Sequence, residues 1–141
     1  MKGRSYMQAI IRYELVINEA LRSALMLDTP DEQIDEFIRF FGKHIGCDRI
    51  YIFEDNKKEH VTDNTYEWCR QGIESEIDYL QGVDMDIIDW WYKAFDKKEN
   101  VIIRDVETIK NEHVYTYNTL KIQNVKRLVA VSYTHLRAHE T

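Results

Sequence analysis

Residues 29–53 read TPDEQIDEFIRFFGKHIGCDRIYIF, and two elements of different period meet inside them. Thr29 can cap free backbone N–H groups, Pro30 suits the first helical position and Glu32 stands three residues after the cap, so a helix starts here. Ile34, Phe37, Ile38, Phe41 and Ile45 keep the spacing of one apolar helix face, and Gly46 supplies a left-handed stop. Arg49-Ile50-Tyr51-Ile52-Phe53 then switches to a β-branched and aromatic run, predicted to be a buried strand ending in a polar turn at 54–58. A helix with one committed face followed at once by a strand points to an α+β fold.

On the N-terminal side, Ile10, Ile17 and Ala24 recur every seven residues, with Tyr13, Ala20, Leu21 and Leu27 widening the stripe. The pattern predicts an amphipathic helix over about residues 7–27. Two uses of that stripe stay open at this level: packing on its own domain, or a parallel coiled coil with a second copy through Ile10, Ile17, Leu21 and Ala24.

On the C-terminal side, residues 60–69 alternate as a second strand, with Thr62, Asn64, Tyr66 and Trp68 on one face. The short turn before it predicts an antiparallel hairpin. Residues 71–82 read as a loop, with a short strand near Val83. Asp86 is expected to cap a helix running to about Lys97, followed by a strand at 101–103, a turn at 105–110, a helix over about 111–122 and a strand starting at Lys126.

The 141 residues carry 19 Lys plus Arg against 25 Asp plus Glu, a net charge of -6, with the signs interspersed. No basic stripe is present to neutralise phosphates, so nucleic acid is not an expected partner. No apolar run reaches the roughly 18 residues that span a bilayer, and no signal-peptide pattern opens the chain, so neither a membrane nor secretion is expected. Cys47 and Cys69 lack metal-ligand spacing and are read as two inert free thiols in a reducing, cytoplasmic setting. The pairs Asp84/Asp86 and Asp63/Glu67 have no accompanying base or metal ligand in the sequence and read as solvated surface, so neither a catalytic residue nor a metal site is assigned.

The segment 131–141, VSYTHLRAHET, breaks the pattern before it and resembles, codon for codon, read-through of a transposase-type sequencing adapter. The alternative is a natural strand, RLVAVSYT, with a polar tail. On the adapter reading, His135 and His139 carry no function, and the natural reading frame continues past residue 130, making the chain a truncated piece of something longer. The resulting organisation is a helical arm at 1–28, a domain at 29–130 and an artefactual tail at 131–141.

The order helix, hairpin, long excursion, aromatic helix, strand, helix, strand resembles a GAF domain. The resemblance rests on Asp31-Glu32-Gln33-Ile34-Asp35-Glu36-Phe37 leading to Gly46-Cys47-Asp48-Arg49-Ile50-Tyr51-Ile52-Phe53, on Trp90-Trp91, on Val101-Ile102-Ile103-Arg104-Asp105-Val106-Glu107 and on Val125-Lys126-Arg127-Leu128-Val129-Ala130. The wording is similar to GAF modules that precede GGDEF diguanylate cyclase domains in bacterial signalling proteins. The resemblance implies an antiparallel sheet flanked by helices, here incomplete at its C-terminus and lacking the strand that joins its two halves. Unpaired edges of that kind invite aggregation.

It also implies a ligand pocket, for which the aromatic residues Trp68, Trp90, Trp91, Phe95, His113, Tyr115 and Tyr117 are the expected lining. A helix on a sheet rarely buries adjacent residues equally, so Trp90 is expected at the pocket or an interface, and Trp91 and Phe95 in the core. His113 is expected to be solvated or capping, and Thr62, Asn64 and Thr65 to be solvated on an edge strand. No cysteine precedes His113 to attach a bilin, and neither the N-K-F-D-E signature of cyclic-nucleotide binders nor the cysteine set of methionine sulfoxide reductases is found, so the cofactor is unassigned. The implied function is non-catalytic sensing of a small ligand or partner by a homodimer that controls a following output domain, a diguanylate cyclase in the wording it resembles. The alternative is a structural dimerisation module with no ligand.

Overall fold

The computed structural model describes residues 2–132, and their side chains from residue 12 onward. Helix α1 (Lys2–Leu25) and helix α2 (Pro30–Ile45) are followed by strands β1 (Arg49–Asn56), β2 (Val61–Cys69) and β3 (Val83–Asp84). Then come α3 (Asp89–Asp96), β4 (Val101–Ile103), α4 (Val114–Ile122) and β5 (Leu128–Ala130), with short 3-10 turns at Ile77–Tyr79 and Val106–Ile109. The fold is α+β. One sheet has the order β1-β2-β3, and β4 and β5 form a second, two-stranded sheet. The predicted tail at 131–141, with His135 and His139, falls outside the described residues apart from Val131 and Ser132.

The chain divides into two compact units, one made by the chain up to Asn56 with Thr62–Gly82, the other by Lys57–Val61 with the chain from Val83 onward. In the first, α2 forms as its end signals dictate. Thr29 accepts a hydrogen bond from the Glu32 N–H at 3.2 Å, Pro30 opens the helix, and Gly46 closes it with φ of 75°. Helix α1 packs against α2. Its inward residues are the small ones, Ala20 at 0% and Ala24 at 4% exposure, and Ser23 Oγ donates to Glu36 on α2 at 2.7 Å.

The stripe expected on α1 is therefore split. Tyr13, Ile17 and Leu21 remain exposed at 53%, 38% and 46%. Ala24, expected at a seam with a second copy, is used inside the protomer instead, because two alanines one turn apart let helices approach closely without filling the gap. Ile10 lies outside the described side chains.

The other side of α2 meets the hairpin. A methyl group on Gly42 would stand 2.5 Å from the Trp68 ring, so glycine here makes room for the indole. Strand β1 is only half-buried, with Phe53 exposed. It also runs on to Asn56, which moves the turn to 57–60.

The face division predicted for β2 is correct, but the polar residues on it are not solvated. Thr62 and Asn64 are each 2% exposed, the two largest fully buried side chains among the described residues. Burial is tolerated because their hydrogen bonds are made to backbone. Thr62 Oγ1 donates to the Glu54 carbonyl at 3.3 Å, and the Asn64 amide, oriented with its NH2 toward them, donates to the carbonyls of Tyr66 at 2.8 Å and Ile52 at 3.2 Å. Thr65, on the opposite face, is exposed as expected and donates to the Ile52 carbonyl at 3.4 Å. The Asn64 main chain binds the loop as well, through the Leu80 carbonyl at 2.9 Å and the Gln81 side chain at 2.8 Å.

Glu67 is a further correction. Its side chain is 3% exposed, and its carboxylate accepts from Ser75 Oγ at 2.5 Å and from the Glu76 N–H at 3.0 Å, with Arg49 Nε at 3.9 Å. It fastens the loop to the hairpin. Arg49 adds to this by donating to the Glu74 carbonyl at 2.5 Å.

In the second unit, Val101, Ile103, Val106 and Leu120 form the core, and Trp90, Trp91, Ala94, Phe95 and Leu128 pack on it. Strands β4 and β5 are antiparallel, with Val101 opposite Ala130 and Ile103 opposite Leu128. Helix α3 starts at Asp89, two residues later than expected, and Ile88 precedes it without a side-chain cap. Asp86 does not cap the helix, since it is turned toward His60.

Glu36 carries a pH signature, set first by Arg39 on its own helix and then by Ser23 of α1. Hydrogen bonds from Arg39, then from Ser23, lower the Glu36 pKa from 4.5 to about 2. A carboxyl depressed in the folded state contributes stability above its unfolded value and loses it as pH falls through the folded value. Urea unfolding followed between pH 4.5 and about 2 is expected to show a loss of stability that Glu36→Gln removes. An unchanged pH profile in that variant would contradict the role of the Glu36 hydrogen bonds to Arg39 and Ser23.

Candidate functional site

The aromatic residues that the sequence singles out are gathered mainly in the second unit, where α3 presents Trp90 and Trp91 in succession and α4 presents Thr116 and Tyr117. The two indoles meet edge to face, with centroids 5.7 Å apart and planes at 67°. Both ring N–H groups donate to one oxygen, Thr116 Oγ1, at 3.1 Å from Trp90 and 3.4 Å from Trp91. Thr116 is buried, and its hydroxyl oxygen has the two lone pairs such a double acceptor needs.

His113, just before α4, lies flat on Trp90 with ring centroids 3.8 Å apart and planes within 10°. It makes no side-chain cap to the helix. The expected solvated or capping histidine is thus a stacking partner, half-buried by the indole it covers. The expected contrast between Trp90 and Trp91 is also corrected. Both are half-buried against the core, because the shared Thr116 oxygen draws neighbouring indoles to one point, and only the His113 stack sets Trp90 apart.

The remaining predicted residues divide. Phe95 packs on the core and meets Tyr92 edge to face at 6.1 Å. Tyr117 packs there too, while its hydroxyl donates to Glu107 at 3.1 Å. Lys121 reaches the same carboxylate at 2.5 Å, and this bond, followed by that of Tyr117, holds the Glu107 pKa below its ordinary value. Tyr115 is exposed on α4. Trp68 belongs to the first unit and fills the space over Gly42, so it serves the core of that unit.

A groove of about 410 Å³ opens elsewhere in the second unit, lined by Arg104, Asp105, Glu107, Lys121, Lys126 and Arg127 among others. None of the predicted ligand residues lines it. The aromatic cluster is closed upon itself by its own hydrogen bonds and stacking, whereas the open groove is charged. Sequence patterning marked the aromatics by their density and had no corresponding signal for the groove, whose cations are spread over residues 104–127.

The two cysteines are free thiols, and burial raises the pKa of each. A raised thiol is less ionised near neutral pH and a weaker nucleophile there. Asp84 and Asp86 do acquire a potential metal ligand, contrary to the sequence reading. His60 comes from 24 and 26 residues away and places Nε2 2.8 Å from Asp86 Oδ1. Sequence spacing could not show this meeting, which is made by the turn of the hairpin and β3.

No protein-family model matches the chain, and no curated protein matches it.

Replacing Thr116 by Val keeps the shape and removes the shared acceptor, leaving two half-buried indole N–H groups without it. The expected cost is about 1–3 kcal/mol, read as a lower urea midpoint, with a changed tryptophan emission spectrum. An unaltered midpoint and spectrum would show that the shared bond does not organise the cluster.

Proposed function

We propose that the chain is a GAF-like, non-catalytic sensory module of a bacterial signalling protein, in which a small ligand or partner changes the packing of α1 and so controls an output domain, most naturally a diguanylate cyclase. The observation that carries the reading is the divided helix α1. Part of its apolar stripe is spent on α2 through Ala20 and Ala24, while Tyr13, Ile17 and Leu21, on the flank of the same stripe, stay exposed at i, i+4 and i+8. An unpartnered row of that kind suits a homodimer in which helices pair, and Ile17 and Leu21, already more than half covered, would each contribute about 1 kcal/mol on pairing. The seam this reading uses is therefore Tyr13, Ile17 and Leu21, without Ala24.

Further support comes from the α+β order of the elements and from the antiparallel pairing of β4 with β5. A coupling device needs an element with two arrangements, and α1 is the element with an uncommitted face. In the second unit the ligand surface would be the stacked face of Trp90, exposed when His113 swings away.

A second reading, a dimerisation module without a ligand, is favoured by one observation: the Trp90 and Trp91 N–H groups are both satisfied by Thr116. The two readings share the dimer and differ in whether the aromatic cluster opens.

Sedimentation of the wild-type chain at high micromolar concentration is expected to show a dimer, and Ile17→Glu with Leu21→Glu a folded monomer. A monomeric wild type, or a double variant that still dimerises, would overturn the shared part. A thermal-shift screen against purines, amino acids and haem then separates the two: stabilisation lost in Trp90→Ala supports sensing, and none at all supports the ligand-free module.

A further inference from the structure

Outside the aromatic cluster, one group of side chains has mixed donor chemistry. His60, Asp84 and Asp86 each offer one ligand atom, and the three atoms lie within 4.8 Å of one another. All belong to the second unit: His60 closes the turn before β2, Asp84 ends β3 and Asp86 lies in the turn after it. The main chain holds the two segments together, with the Met85 N–H donating to the His60 carbonyl at 3.1 Å. The Asp86 N–H donates to Asp84 Oδ1 at 2.9 Å, which fixes that carboxylate and leaves its second oxygen available.

The charges are not otherwise balanced. Among the described residues no Lys or Arg pairs with Asp84 or Asp86, although six Lys or Arg pairs with carboxylates are formed elsewhere. Two carboxylates brought together repel unless a cation stands between them. We propose that His60, Asp84 and Asp86 bind a first-row divalent cation of the Zn2+ type, clamping the hairpin turn to the β3 segment. One imidazole nitrogen with two carboxylate oxygens suits Zn2+ and its neighbours better than Mg2+ or Ca2+, which take oxygen ligands.

The dimensions agree with this assignment. A tetrahedral ion with ligands at about 2.0–2.2 Å sets them about 3.3 Å from one another. Small rotations of exposed side chains reach that spacing from the observed limit of 4.8 Å. Three protein ligands on an exposed surface leave a fourth position for water. The site is independent of the sensory reading and stands or falls without it.

The test is calorimetric titration of the full chain with Zn2+ after removal of metals, with circular dichroism on each variant. His60 has φ of 58°, so His60→Asn is chosen because asparagine tolerates the left-handed conformation, and Asp86→Asn serves as a second, near-isosteric variant. His135→Ala with His139→Ala, and Cys47→Ser with Cys69→Ser, remove the competing imidazoles and thiols. One equivalent is expected in the wild type and in both control pairs, with affinity at least about tenfold weaker in His60→Asn and in Asp86→Asn. No binding by the wild type, unchanged affinity in either site variant, or loss of binding in either control pair would overturn the assignment.

Discussion

Two methyl groups decide how the first unit is built. Ala20 and Ala24 sit one turn apart on α1 and are the residues it buries where it packs against α2. Contacts of this kind gain little from each side chain and depend on proximity, which is why a polar fastening accompanies them: Ser23 to Glu36 at 2.7 Å, with Glu36 in turn held by Arg39 at 2.6 Å. The bulky residues Tyr13, Ile17 and Leu21 share the stripe with the alanines but lie along its flank, where they stay exposed. The proposed regulatory role rests on that exposed row. A helix that buried its large residues internally would have no face to offer.

The rest of the first unit is held by polar groups that are buried and satisfied. Thr62 and Asn64 bond to backbone carbonyls of the hairpin, and Glu67 gathers the loop through Ser75 and Glu76. Removing one partner from such a network leaves an unmet donor or acceptor, which costs more than the bond contributes. The second unit is made differently. Its core is aliphatic with a tryptophan pair laid on it, and its main polar fastening in that region is the single oxygen of Thr116.

Local signals were the legible part of the sequence. Thr29, Pro30, Glu32 and Gly46 act within a few residues of themselves, so both ends of α2 could be read directly. Likewise, the alternation in 61–69 gave the two faces of β2, and the apolar runs at 101–103 and 128–130 gave the strands that pair. What could not be read depends on distant partners. Alternation cannot tell a solvated Thr62 from one bonded to Glu54, and Asp86 looked like a helix cap because His60, its partner, is 26 residues away. Periodicity found the apolar stripe of α1 but not which half α2 would cover, since alanine counts as apolar in either role. In the candidate site, the density of aromatics was visible, whereas nothing marked Thr116 as the oxygen both indoles share.

Disulfide trapping between copies tests the division of α1 most directly. In a Cys47→Ser, Cys69→Ser background, a single cysteine is placed at position 17 or at position 24, and each chain is oxidised and run on a non-reducing gel. A disulfide-linked dimer is expected for Ile17→Cys and none for Ala24→Cys, because Ala24 is enclosed within its own protomer. Equal trapping at the two positions, or none at position 17, would contradict it.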